Sequence, residues 1–130
     1  MSSENPGKGV MFNGAVTTAP VASLNDECSE YVSGSFHVQT DGTQTVTVVL
    51  QVSNVPGSKS GLGPAFVRSE AATSTDYATL STSTVAAGTG TQNLIIAMPT
   101  MPYRSVRLLM NTASGTSQVK AFYRSVGYPS

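Results

Sequence analysis

The chain has 130 residues, room for one domain with one core. Hydrophobic residues make up 39% of it and charged residues only 11%, against a usual charged share of roughly 25%. Seven basic and seven acidic residues cancel, which argues against a binder of nucleic-acid phosphates.

Ser and Thr fill the place of the missing charges, at about a quarter of the chain. A surface of hydroxyls, amides and small side chains is poorly protected from self-association and suits a subunit packed against neighbours. The charges are also unevenly placed. The first 41 residues hold Glu4, Asp26, Glu27, Glu30 and Asp41 against Lys8 alone, whereas Arg104, Arg107, Lys120 and Arg124 meet no acid after residue 103. Such an asymmetry could let identical subunits meet head to tail, although scattered solvated charges explain it as well. The lone Cys28 cannot form an internal disulfide, which fits synthesis in a reducing compartment. The polar start MSSENPGKG is not a secretory signal, and no apolar run is long enough to span a bilayer as a helix. These features predict synthesis in a cytoplasm, as an intracellular product or one released by cell lysis, and no membrane partner.

Residues 1–13 (MSSENPGKGVMFN) show no sustained period and read as an extended N-terminal arm, leaving 14–130 as the folded domain. Residues 14–24 (GAVTTAPVASL) carry a weak alternation interrupted by Pro20 and fit an edge strand. Asn25 to Glu30 (NDECSE) is an acidic knot, expected as a single helical turn. Tyr31 to Thr40 is a strand with Val32, Gly34, Phe36 and Val38 on one face and Ser33, Ser35, His37 and Gln39 on the other.

The clearest strand is Thr43 to Asn54. Val46, Val48, Leu50 and Val52 alternate with Thr47, Val49, Gln51 and Ser53, and β-branched residues suit a pleated, half-buried surface. If these two strands pair directly, a three-residue loop Thr40-Asp41-Gly42 sets Phe36 against Val46, because a two-residue loop would mix their faces. Val55 to Pro64 is a long turn and Ala65 to Glu70 a short strand. Ala71 to Thr91 is expected as irregular loop and short strand, and Asn93 to Met98 (NLIIAM) is too apolar to show a face. Tyr103 to Asn111 alternates again, with Val106, Leu108 and Met110 inward and Arg107 and Leu109 outward. After a turn at 113–116, Gln118 to Val126 places Val119, Ala121 and Tyr123 opposite Lys120, Phe122 and Arg124. Short strands parted by Gly- and Ser-rich turns predict an all-β fold, a single β-sandwich of jelly-roll or immunoglobulin-like topology.

Little reactive chemistry is encoded. With one His and one Cys, a zinc site of three or four Cys/His ligands cannot be built within one chain. Cys28 lies among acids that raise a thiol's pKa and blunt its reactivity. His37 has an outward strand position and reads as a surface or interface residue. Asp26, Glu27, Glu30 and Asp41 lack the spacing of a calcium loop. Ser117-x-x-Lys120 would project its two side chains to opposite faces of a strand. The chain is therefore read as non-enzymatic, with no catalytic, cofactor or metal residues. Tyr31, Val49, Tyr103, Arg107, Leu109 and Phe122, on the outward faces of their strands, are the interface candidates, since aromatic residues and Arg are enriched at interfaces.

Three stretches together carry a family resemblance: Ser33-Gly34-Ser35-Phe36-His37-Val38, Thr47-Val48-Val49-Leu50-Gln51-Val52-Ser53-Asn54 and Tyr103-Arg104-Ser105-Val106-Arg107-Leu108. Their cadence resembles that of small β-sandwich virion proteins of tailed bacteriophages, of the capsid decoration or cement type. Where that group continues with SNDG and a later Trp, this chain has Asn54-Val55-Pro56-Gly57 and no Trp. The resemblance implies a structural protein on the capsid surface, a homotrimer that bridges major capsid subunits. It also implies a docking role for the arm, with Val10, Met11 and Phe12 as anchors. The alternative is a carbohydrate- or receptor-binding sandwich of a phage tail or fibre, presenting tyrosines to a glycan.

Overall fold

The computed structural model describes residues 9–23, 26–27, 31–54, 76–100, 102–103 and 105–127, with backbone alone for 26, 27, 31, 32, 126 and 127. Among these residues are nine strands: β1 (Gly9–Val16), β2 (Val21–Ala22), β3 (Asp26–Glu27), β4 (Tyr31–Thr40), β5 (Val46–Ser53), β6 (Ala78–Val85), β7 (Gln92–Met98), β8 (Ser105–Thr112) and β9 (Ser117–Gly127). The expectations for 1–8, 55–70 and 128–130 lie outside the described residues.

The strands form two antiparallel sheets. The first has the order β1-β9-β4-β7. The second has the order β2-β8-β5-β6, with β3 also paired to β8. The pairing is nested along the chain: β5 with β6, β4 with β7, β2 and β3 with β8, and β1 with β9. One long antiparallel stem is thus rolled into two sheets, which is a jelly roll. Pattern alone left jelly-roll and immunoglobulin-like topologies open; the nested pairing decides between them.

The alternating faces meet as the periodicity predicts. Val46, Val48, Leu50 and Val52 of β5 pack with Val106, Leu108 and Met110 of β8 against Phe36, Val38, Val119, Ala121 and Tyr123 of the first sheet. The Phe36 and Tyr123 rings stack at 4.9 Å between centroids.

Several expected local structures differ. β4 and β5 do not form a hairpin: Thr40 pairs with Val119 and Gln92, and Val46 with Thr112 and Val85, so residues 41–45 cross from one sheet to the other. Equal inward faces on two strands are satisfied as well by facing sheets as by one sheet, and here they face. The stretch expected as one edge strand before residue 25 is two, β1 and β2, one in each sheet, with Pro20 in the crossing. Ser23 continues the pairing beyond β2, donating its N–H to the Leu108 carbonyl (2.8 Å) and accepting from the Leu108 N–H through its hydroxyl (2.9 Å). In the acidic knot, Asp26 and Glu27 pair with Val106 and Ser105 as strand, not helix. Residues 78–85 form a full eight-residue strand along β5. β7 does show two faces, since Asn93, Ile95 and Ala97 are exposed between less exposed neighbours.

Candidate functional site

Two polar features and one apolar one stand out from the scaffold. At the end of the sandwich where residues 41–45 cross, Asp41 ties the crossing to the start of β9. Its Oδ1 accepts from the Thr43 N–H (3.0 Å) and the Ser117 hydroxyl (2.7 Å), and its Oδ2 from the Gln118 N–H (3.1 Å). Donation from the Thr43 backbone, then from Ser117 and Gln118, holds its carboxyl well below the ordinary carboxylate range. Gly42 follows at φ +82°, and a Cβ there would run into the carbonyl oxygens of Gly88 and Gly90. The Gly88 N–H donates to the Gly42 carbonyl at 3.1 Å, so close backbone approach holds residues 86–91 against this crossing. The Asp41 oxygens are engaged in holding loops, a structural task.

The second polar feature is Arg107. Expected on the outer face of the second sheet, it is 0% exposed. The Tyr77 ring lies 4.0 Å from its guanidinium carbon, and its Nε–H donates to Gln51 Oε1 at 2.9 Å. The strand parity is as predicted, but Tyr77, just before β6, covers the position. Arg107 is therefore no exposed interface residue.

The apolar feature lies on the outer face of the first sheet. Register places Val10 beside Phe122, Phe122 beside His37 and His37 beside Ile95. These four residues, one from each strand, make a row across the whole sheet. Val10 is 53% and Ile95 59% exposed. The His37 ring stands edge-on to Phe122 at 6.0 Å and shares a 2.8 Å hydrogen bond between its Nε2 and Asn93 Oδ1. A second row, Asn13, Lys120, Gln39 and Asn93, flanks the first on one side, and Arg124, Ser35 and Ala97 flank it on the other. Lys120 and Arg124 are the only charged residues in these rows, and no carboxylate joins them.

The predicted interface residues divide accordingly. Met11 points into the core, where it is 5% exposed, and the register shift between Val10 and Phe12 turns Phe12 to the core side as well, opposite Ala121. Of the three expected arm anchors, Val10 alone is well exposed, and residues 9–13 belong to β1, bound to the protein's own sheet. Val10 and Phe122 are brought together. Val49 and Leu109 are neighbours on the outer face of the other sheet, both half-buried. Tyr103 is half-buried against the core, and the Tyr31 side chain lies outside the description. Sequence reasoning passed over Ile95, because NLIIAM shows no alternation, and treated His37 singly because the row exists only across strands. Among the described residues no three His, Cys, Asp or Glu side chains gather as a metal site would need. Asp41 and Asp26 stand toward opposite ends of β8, since the crossing that Asp41 opens leads into Val46, which pairs with Thr112, whereas Asp26 pairs with Val106.

The fold defines a jelly-roll β-sandwich, and solved structures of that architecture are similar to it. The chain matches the PBSX exported protein XepA at TM-score 0.58 with 11% identity, over 95% of this chain and 38% of that one. It thus spans well under half of XepA's length. It matches the CBM36-1 domain of a multidomain xylanase from the hindgut metagenome of Trinervitermes trinervoides at TM-score 0.47 and 12% identity, over 98% and 95% of the two chains. A chain of Broad Bean Stain Virus matches at TM-score 0.40 and 9% identity, over 95% and 92%. The neighbours thus include phage, virus and carbohydrate-binding proteins, and at these identities the likeness is one of fold. The sequence matches no family profile and no curated protein.

Proposed function

We propose that the protein is a non-enzymatic virion structural protein, a capsid decoration protein that seats the outer face of its first sheet on major capsid subunits of a bacteriophage head. The observation that carries this reading is the row Val10–Phe122–His37–Ile95, flanked by Lys120 and Arg124 without a carboxylate. An apolar strip across a rigid sheet fits a protein partner. The flanking cations favour a partner whose surface offers carboxylates beside an apolar strip. Many copies, each bound modestly, then stabilise the shell through avidity. The strand cadence shared with phage decoration proteins supports the same reading.

Co-sedimentation with capsids of the encoding phage tests it. The wild type pellets with saturable stoichiometry, and the double variant Val10→Ser/Phe122→Ser loses affinity at least about tenfold while keeping its fold. Unchanged occupancy by the double variant would sink the proposal. Deleting residues 1–13 is a poor test of an arm, because it removes five residues of β1; deleting 1–8 leaves that strand whole.

One observation favours a glycan-binding reading as a second choice. Asn13, Lys120, Gln39 and Asn93 cross the sheet beside Phe122, and an open depression of about 290 Å³ lies over Asn13, Gln39, Asp41 and Lys120. Amide and ammonium groups beside an aromatic edge can bind sugar hydroxyls. Glycan binding that Gln39→Ala abolishes and Val10→Ser spares would establish this reading in place of the first.

A further inference from the structure

Four strands end the two sheets, and three of them are blunted. β1 has a register shift between Val10 and Phe12. β2 is two residues long and follows Pro20. β6 has a register shift against β5 at Leu50/Gln51, where Leu80 is the extra residue. Bulges, brevity and Pro are the ordinary protections of an edge, which otherwise offers a row of unpaired N–H and C=O groups to any passing strand.

β7 has neither a bulge nor a short span, and although Pro99 follows its last residue, no Pro lies within it. Its seven residues run in unbroken register along β4. No charged residue lies between Asp76 and Arg104, so neither β7 nor its flanks carry the lysine that guards many edges. Among the described residues nothing pairs with its other side. Leu94, Ile95 and Ile96 have the residue types of a strongly β-forming segment. The most exposed large hydrophobic residue described, Ile95, stands at its midpoint.

We propose that β7 pairs antiparallel with β7 of a second copy about a two-fold axis at Ile95, joining two four-stranded sheets into one of eight. A strand that meets its own copy antiparallel is self-complementary: each contact on one side of the axis is repeated on the other. Full overlap of seven residues sets Ile95 opposite its symmetry mate, Asn93 opposite Ala97 and Leu94 opposite Ile96, with no like charges brought together. The apolar row on the outer face then runs unbroken through both copies, from one Val10 to the other. Two-fold pairing closes with two copies and does not build the trimer that the family resemblance implies. The pairing goes beyond the capsid-docking proposal and stands whether or not that face binds a capsid.

Sedimentation equilibrium of the isolated full chain, without capsids, tests the pairing separately from the docking assay. The wild type sediments as a dimer. Ile95→Lys, at an exposed position that tolerates the change, raises the dissociation constant at least about tenfold, because like charges then oppose each other at the axis. Thr82→Lys on β6 places the same charge on the neighbouring edge and leaves the dimer intact. Ile95→Cys in a Cys28→Ser background forms an interchain disulfide on mild oxidation, since directly opposed Cα atoms at about 4.5–5.5 Å are within bridging range. A monomeric wild type, an odd-numbered oligomer, a dimer that survives Ile95→Lys, one that Thr82→Lys dissolves equally, or a dimer that Ile95→Cys fails to cross-link overturns the proposal.

Discussion

Asp41 shows how one side chain can decide where a chain crosses between sheets. Its two oxygens receive three hydrogen bonds from β9 and from the crossing itself, and the next residue is a glycine in the left-handed region. These donors favour the charged form, so the folded-state pKa lies below the unfolded value near 3.8. The unfolded chain therefore binds more protons than the folded one at pH values between the two pKa values. The stabilisation is fully present above the unfolded pKa and is lost as pH falls toward the folded one. Accordingly, the melting temperature of wild type exceeds that of Asp41→Asn by its full margin at neutral pH, and the margin shrinks as pH falls below about 4. A margin that stays constant from pH 7 to pH 2 would show that the carboxylate's charge plays no part. Arg107 teaches the complementary lesson: its outward parity was legible, but its cover, Tyr77, comes from thirty residues away in the chain.

At the scale of elements, β5 is the stave between β8 and β6. Its even residues are all buried and its odd residues only partly so until Ser53. The two faces should answer differently to truncation. Leu50→Ala, at 2% exposure, is expected to cost about 2–5 kcal/mol by combining lost transfer energy with a cavity. Val49→Thr, on the outer face, is expected to cost less than about 1 kcal/mol. Urea unfolding of both variants with an unchanged slope measures the contrast, and equal losses would mean that the outer face is as well packed as the core. β7 illustrates an element whose role its composition conceals. Five successive apolar residues, Leu94 to Met98, hide the alternation, and only pairing with β4 assigns Ile95 to the outside and Ile96 toward the core.

For the whole molecule, nested pairing means that, among the described residues, β5 and β6 are the only consecutive long strands that pair; every other described ladder between long strands joins segments far apart in the chain. Closing such ladders loses chain entropy before many contacts compensate. The main refolding phase is therefore expected in the millisecond-to-second range, measurable by stopped-flow. A phase of microseconds would contradict a jelly roll assembled from distant strands. The same architecture leaves the sandwich two outer faces with different chemistry. One has Arg107 covered by Tyr77, and the other sets Lys120 and Arg124 beside an apolar row.

Period-two alternation determined the class of fold, because side chains on a strand must alternate and half of them must leave water. β5, β8 and β9 were legible to within a few residues on that ground, and so was the outward direction of Phe122. That one chain lacks three Cys/His ligands for zinc followed from composition alone, since it has one His and one Cys. The tertiary structure decided what periodicity cannot carry: which strands share a sheet. Facing sheets and paired strands ask for the same alternation, so the β4–β5 crossing could not be told from a hairpin until Asp41 and Gly42 were seen at work. The outer apolar row was equally out of reach, for its members lie in four separate strands and become neighbours only through register. Val10 and Phe122 were each visible as outward or terminal apolar residues; that register sets them side by side, with His37 and Ile95 beyond them, is a fact of the folded sheet.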